Sequence, residues 1–175
     1  MNILFIINDG FEESETITPF DMLKRAGYNV VIASNGTEAK GAHGVTIKNL
    51  TLLNALNKID FDCLVLPGGP QWKKNKDDAL YLEYAKYFAK NKIIASICAS
   101  PTILGNLGLL KNIKYTCFPP LNNDFGGIFT GDKATIDKNI ITSRSAGTSL
   151  EFGAAIIEKL ESKEKAIEVL KDMYY

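Results

Sequence analysis

The chain has 175 residues, in which 20 lysines and arginines balance 20 aspartates and glutamates beside a single histidine. That length suits one domain spanning residues 1–175 with a real core, and apolar residues at 46% with charged residues at 23% are those of an ordinary globular protein. Zero net charge provides no basic surface for nucleic acid or an anionic membrane, and no stretch approaches the ~20 apolar residues of a membrane helix.

Residues 3–7 are continuously apolar and isoleucine-rich, which predicts a buried central strand. The start is too short for a signal peptide, lacks a basic leader and runs straight into acidic residues. Residues 12–25 predict a helix with Thr16, Phe20 and Leu23 on one face, Gly27 as its stop and Pro19 as a place for a kink. Val30 to Ala33 predict a second strand closed by the turn Asn35-Gly36. Val45 to Ile47 predict a short edge strand, and residues 51–57 a short helix. Residues 62–66 predict a buried strand ending in Pro67-Gly68-Gly69. A helix follows from Asp77 to Lys90, with Leu80, Tyr84, Tyr87 and Phe88 inward. Ile93 to Ile97 is the next buried strand, Thr102 to Leu107 a short helix, and Lys114 to Phe118 another strand. Thr135-Ile136 and Ile140 to Thr142 flank Asp137-Lys138-Asn139 as a hairpin. Thr148 and Glu151 have capping-box spacing and open a helix through Leu160; residues 163–173 form the last helix.

Buried strands alternating with amphipathic helices imply a mostly parallel sheet covered on both faces. In such sheets ligands sit beyond the carboxyl ends of the strands, so those loops carry the functional candidates. The first, Asn8 to Glu15, presents Asp9, Glu12, Glu13 and Glu15 where a phosphate-binding loop would offer glycines and bare amides. That disfavours a flavin or nucleotide carrier. Glu12 and Glu13 suit a helix N-terminus, while Glu15, one turn after Glu12, can point at the strand ends. Gly68 and Gly69 suit either a plain tight turn or close approach of backbone to a ligand.

The run Ile93-Ile94-Ala95-Ser96-Ile97-Cys98-Ala99-Ser100-Pro101 places one cysteine between a strand and tiny residues. A strand that bends sharply into a helix at a nucleophile makes an elbow, and the crowded backbone there needs small neighbours. Pro101 falls in the first helical turn, where its missing N–H costs nothing. An elbow puts Cys98 at a helix N-terminus, which lowers a thiol pKa; an inert buried cysteine fits the same residues. Cys63 reads as core and Cys117 lies near a strand end. Three widely spaced cysteines with no CxxC pair argue against disulfides and metal sites and for a reducing cytoplasm. His43, in the turn Gly41-Ala42-His43-Gly44, reads as a surface residue, which weakens a cysteine–histidine peptidase.

The stretches GFEESE, PFDMLKRAGYNVVIAS, FDCLVLPGG, IASICASPTIL and ITSRSAGTSLEF together resemble the ThiJ/PfpI superfamily and, more narrowly, its DJ-one branch with its bacterial homologues. The resemblance implies a flavodoxin-like three-layer α/β sandwich with a nucleophile elbow, a homodimer and no cofactor. It implies Cys98 as nucleophile, Glu15 as a protonated partner of its sulfur, and the Gly69 and Ala99 amides as an oxyanion pocket. Gly68, Phe118, Asp21, Arg25 and Arg144 match positions lining the pocket, supporting the elbow or near the dimer contact. Protease-like members carry histidine where this chain has Ala99, which argues against peptidase activity. Animal members carry histidine where Phe118 stands, so the pocket here is more apolar. Ser100 replaces the usual glycine and Ala146 a common proline. The implied function is a cofactor-free glyoxalase or deglycase acting on reactive 2-oxoaldehydes such as methylglyoxal, or on glycated substrates. The alternative is a redox sensor or chaperone-like protein whose elbow cysteine oxidises to sulfinate.

Overall fold

A computed structural model describes all residues, Met1–Tyr175. The elements in chain order are β1 (Asn2–Ile6), α1 (Glu13–Arg25), β2 (Asn29–Ser34), β3 (Glu38–Lys40), β4 (Thr46–Lys48), β5 (Thr51–Leu52), β6 (Cys63–Leu66), α2 (Trp72–Asn75), α3 (Ala79–Asn91), β7 (Ile93–Ile97), α4 (Ser100–Asn106), β8 (Lys114–Tyr115), β9 (Ile128–Phe129), β10 (Ala134–Asp137), β11 (Ile140–Ser143), α5 (Ser149–Leu160) and α6 (Lys163–Asp172). Seven strands form one sheet in the order β10-β11-β7-β6-β1-β2-β5. Its neighbours pair in parallel except the hairpin β10–β11.

Side-chain alternation along the central strands builds two cores from one sheet. Leu4 and Ile6, Leu64 and Leu66, and Ile94 face Tyr81, Tyr84 and Phe88 of α3 and Ile103 and Leu104 of α4. Ile3 and Phe5, Cys63 and Val65, and Ala95 and Ile97 face Met22 and Leu23 of α1, Phe152 and Ile156 of α5, and Val169 of α6. The result is the expected flavodoxin-like three-layer sandwich, with both faces of the sheet sealed.

α1 runs unbroken through the buried Pro19, so no break occurs there. In α3 the fully inward residues are Tyr81, Tyr84, Ala85 and Phe88, while Leu80 and Tyr87 pack at the margin. Residues 51–57 are not a helix. Thr51 and Leu52 extend the sheet beside Ala33 and Ser34, and only a 3-10 turn follows. Residues 46–48 pair antiparallel with 38–40 in a separate small sheet. The strand expected over 114–118 stops at Tyr115, because the next backbone donors go elsewhere. Thr116 N–H binds Thr142 Oγ1 at 2.9 Å and Phe118 N–H binds the Cys98 carbonyl at 2.8 Å. The capping box sits three residues earlier than its spacing suggests, between Ser145 and Thr148, and opens the 3-10 turn that leads into α5.

Candidate active site at the strand-to-helix elbow

Cys98 sits between the end of β7 and the start of α4 with φ of 64°, a left-handed conformation that a non-glycine residue adopts at a cost. The surroundings hold it there. Its N–H donates to the Ser143 carbonyl at 3.0 Å and its carbonyl accepts from Phe118 N–H. Ser100 Oγ donates to the Pro67 carbonyl at 2.7 Å and ties the start of α4 to the end of β6. The serine that replaces a glycine is thus a structural bond of the elbow. Pro101 lies in the first turn of α4, which begins two residues earlier than the sequence predicts.

Glu15, on the first turn of α1, is fully buried against this elbow. Gly68 N–H donates to its Oε2 at 2.8 Å. Its Oε1 has no hydrogen-bond partner, and the Cys98 thiol is the neighbouring side chain that lowers the carboxyl pKa. Burial raises the Glu15 pKa from 4.5 to about 7, opposed by the bonds from Cys98 and Gly68 and assisted by the charge of Glu12. The ambiguity at Gly68 and Gly69 resolves into close packing. A Cβ on Gly68 would lie 2.7 Å from Glu15 Oε2 and 2.8 Å from Cys98 Cβ, and Gly69 takes φ of 84° beside the backbone of Gly10 and Glu12. Gln71, which sequence reasoning missed, clamps this turn. It is buried, accepts from Asn8 N–H at 2.7 Å, and donates to the carbonyls of Pro67 and Gly68 at 2.9 Å each.

The thiol does not follow the expected helix-terminus effect. Burial, then the Glu15 charge and hydrogen bond, push the Cys98 pKa up, and the amides of Gly69 and Ala99 offset this in part. α4 has only seven residues, and nearly all of them are buried, so desolvation dominates its terminal field. Thiol and carboxyl cannot both be charged cheaply in this space. They act as a coupled pair that holds one proton between them once the first is lost. Oε1, which has no other partner, is the oxygen that would meet the shared proton, with S–H donating to a carboxylate or a protonated carboxyl donating to a thiolate.

In front of the sulfur lies a cavity of about 260 Å³ walled by Gly69, Pro70, Trp72, Ala99, Phe118 and Leu121, with Lys73 the one charged side chain lining it. Trp72, Lys73 and Leu121 carry no motif that would reveal them in sequence. A wholly polar cavity of about 250 Å³ between Asn8, Asp9, Asn35, Glu38, Lys74 and Asp78 does not include Cys98. Cys63 and Cys117 are fully buried; burial raises the Cys63 pKa and pushes Cys117 up to about 11.

The remaining candidates lie outside the cavity. Asp21 and Arg25 pair with each other at 2.8 Å on the exposed side of α1. Arg144 follows the strand residue that anchors Cys98 and donates to the Gly131 carbonyl at 3.3 Å. His43 is exposed and bonds through Nδ1 to Glu13 Oε2 at 2.9 Å. Glu13 also accepts from the His43 and Val45 amides, so it pins the 41–45 loop onto α1 rather than simply facing the helix dipole. Glu12, Glu13 and His43 place three ligand atoms within 4.8 Å of one another, enough to share one cation, but the histidine ring is already bonded to Glu13.

An α/β sandwich with a cysteine elbow backed by a buried glutamate defines the class. The chain belongs to the DJ-1/PfpI family, whose family model matches residues 1–159. It is similar to Protein DJ-1 homolog B of Arabidopsis thaliana, 37% identical over 97% of this chain and 40% of that protein. It therefore spans less than half the length of that relative. It is also similar to Glutathione-independent glyoxalase DJR-1.2 of Caenorhabditis elegans, 34% identical over 93% of this chain and 89% of that protein. Deglycase PfpI of Pyrococcus furiosus is 34% identical over 84% of this chain and 92% of that protein. Among solved structures, oxidised Toxoplasma gondii DJ-1 superposes with a TM-score of 0.91 at 28% identity, covering 99% of this chain and 98% of that one. No helix of the fold is long and apolar enough to cross a membrane.

Proposed function

We propose that the protein converts reactive 2-oxoaldehydes such as methylglyoxal, free or as early adducts on amines and thiols, into 2-hydroxy acids without a cofactor. The observation that carries this reading is the pairing of a partly buried Cys98 that lines a cavity with a fully buried Glu15 whose pKa is near neutrality. The names of the glyoxalase and deglycase relatives support it.

In this reading the Cys98 sulfur adds to the aldehyde carbon and the new alkoxide takes a proton, giving a hemithioacetal. Glu15 then shuttles a proton from the former aldehyde carbon to the ketone carbon, through an enediol, leaving a thioester of the 2-hydroxy acid. Water cleaves the thioester, releasing lactate from methylglyoxal and restoring the thiol. One carbon is oxidised and its neighbour reduced, so no external oxidant is needed. The amides of Gly69 and Ala99, which favour negative charge on the sulfur, would also steady the adduct oxygen. Phe118 and Trp72 limit water beside the adduct. The test is lactate formation from methylglyoxal by the wild type, Cys98→Ala and Glu15→Gln. Cys98→Ala should be inactive and Glu15→Gln slower by about a hundredfold or more; equal rates in all three would end the proposal.

A second reading, a redox sensor, is favoured by one observation: Cys98 is the only cysteine not sealed in the core. An accessible thiolate is oxidised through sulfenate to sulfinate, and the same amides and a protonated Glu15 would bond the new oxygens. The proposal includes a homodimer in a cytoplasmic setting; light scattering that reports a monomer would remove the first part.

A further inference from the structure

From the charges around the cavity we infer that Lys73 makes the Cys98 site selective for carbonyl compounds bearing a carboxylate or phosphate at the end remote from the reacting aldehyde. This deepens the proposed function and rests on it for the reaction; the anion preference follows from the lining of the cavity.

Residues 72–76 read Trp-Lys-Lys-Asn-Lys, and the fold gives the three lysines different surroundings. Lys76 pairs with Asp77 at 3.1 Å. Lys74 opens onto the polar cavity that also holds Asp9, Glu38 and Asp78. Lys73 lines the Cys98 cavity and takes part in none of the ion pairs of the fold.

The acidic first loop does not cancel this charge. Asp9 accepts from the Lys40 amide at 2.9 Å, Glu12 lies 3.5 Å from His43 Nδ1, and Glu13 holds the 41–45 loop. Glu15 is sealed behind the sulfur on the Gly68 amide. None of these carboxylates lines the cavity. Trp72, Phe118 and Leu121 give it an apolar lining that offers an anion no other partner, while Lys73 itself is exposed and its charge is open to screening by salt. An ammonium on a flexible stem reaches an anionic group over a range of positions. A 2-oxoaldehyde with an anionic tail can thus place its aldehyde at Cys98 and its tail at Lys73, while a neutral one uses only the apolar walls. The overall reaction is unchanged: water enters, the aldehyde carbon becomes a carboxylate and the ketone carbon an alcohol.

The test uses two reagents that differ in charge but react alike. A thiolate displaces iodide from either iodoacetate or iodoacetamide. The rate at Cys98 is followed by mass of its peptide in the intact chain, so Cys63 and Cys117 stay in place. The ratio of iodoacetate to iodoacetamide rates should fall about three- to tenfold in Lys73→Met and further in Lys73→Glu, and high salt should bring the wild-type ratio down towards that of Lys73→Met. The same ratio in all three proteins would overturn the inference. Methylglyoxal turnover separates the two claims. Turnover with a flat ratio rejects the role of Lys73 alone. A Lys73-dependent ratio without turnover keeps the anion preference and rejects the proposed reaction.

Discussion

Gly68 donates its amide hydrogen to Glu15 Oε2 over 2.8 Å at a point where a methyl group would strike both Glu15 and Cys98. The absence of one side chain is what lets carboxyl and sulfur share a wall.

Gly68→Ala should therefore disturb the site and the fold together. The intruding Cβ meets a buried carboxyl and the elbow itself, neither of which can swing aside freely. Overpacking of this kind costs about 1–3 kcal/mol. Urea unfolding should report that loss, and Cys98 alkylation should change in rate. Unchanged stability and unchanged reactivity would mean the elbow relaxes without cost.

Glu15 makes stability depend on pH in a defined direction. Its carboxyl titrates at about 7 in the fold and near 4.5 in the unfolded chain. The folded state thus binds the extra proton between these values. The stabilising contribution is complete below 4.5 and is lost as pH rises through 7. The full difference is worth about 3 kcal/mol. Glu15→Gln removes the titration, so the variant should gain on the wild type by about 2–3 kcal/mol between pH 5 and pH 8 in paired denaturation curves. A wild-type advantage that grows with pH would contradict the sign.

Oxidation should be confined to one residue. Mild peroxide should add two oxygens at Cys98, seen by intact mass and peptide mapping, and none at the sealed Cys63 and Cys117. Cys98→Ser should abolish the mass gain. Equal modification of the three cysteines would show that the buried pair opens on the same timescale.

Reactivity with methylglyoxal should rise with pH and level off. Glu15 ionises at about 7, and the carboxylate then formed is the base that takes the thiol proton as the sulfur adds. Initial rates at low substrate should rise about tenfold per pH unit below that point. A profile that keeps climbing to pH 9 would assign the nucleophile to an uncoupled thiol.

The central architecture was legible because β1, β6 and β7 are buried on both faces and read as unbroken apolar runs. Glu15 and Cys98 stand out by chemistry that a core does not need. The parts that escaped are short. β3, β5 and β9 have two or three residues each and carry no usable period. Leu52, Leu53 and Leu56 imitate a helix face, yet the sheet recruits Thr51 and Leu52 as an edge. Ser145 took the capping role from Thr148 because the chain makes a 3-10 turn before α5. Gln71, Trp72 and Lys73 reach the site only through the fold of the loop after Gly69. The raised thiol pKa was hidden for another reason: helix position can be read from sequence, but the depth of burial that outweighs it cannot.

The most direct measurement is the pH dependence of Cys98 alkylation, followed at its own peptide, in the wild type and in Glu15→Gln. The wild-type midpoint should lie above that of a free thiol, because burial and the Glu15 carboxyl hold the Cys98 pKa up. In the glutamine variant, which lacks the charge that opposes the thiolate, the midpoint should move downward. Identical midpoints in the two proteins would show that Glu15 and Cys98 do not share a proton, and would remove the basis of the proposed chemistry.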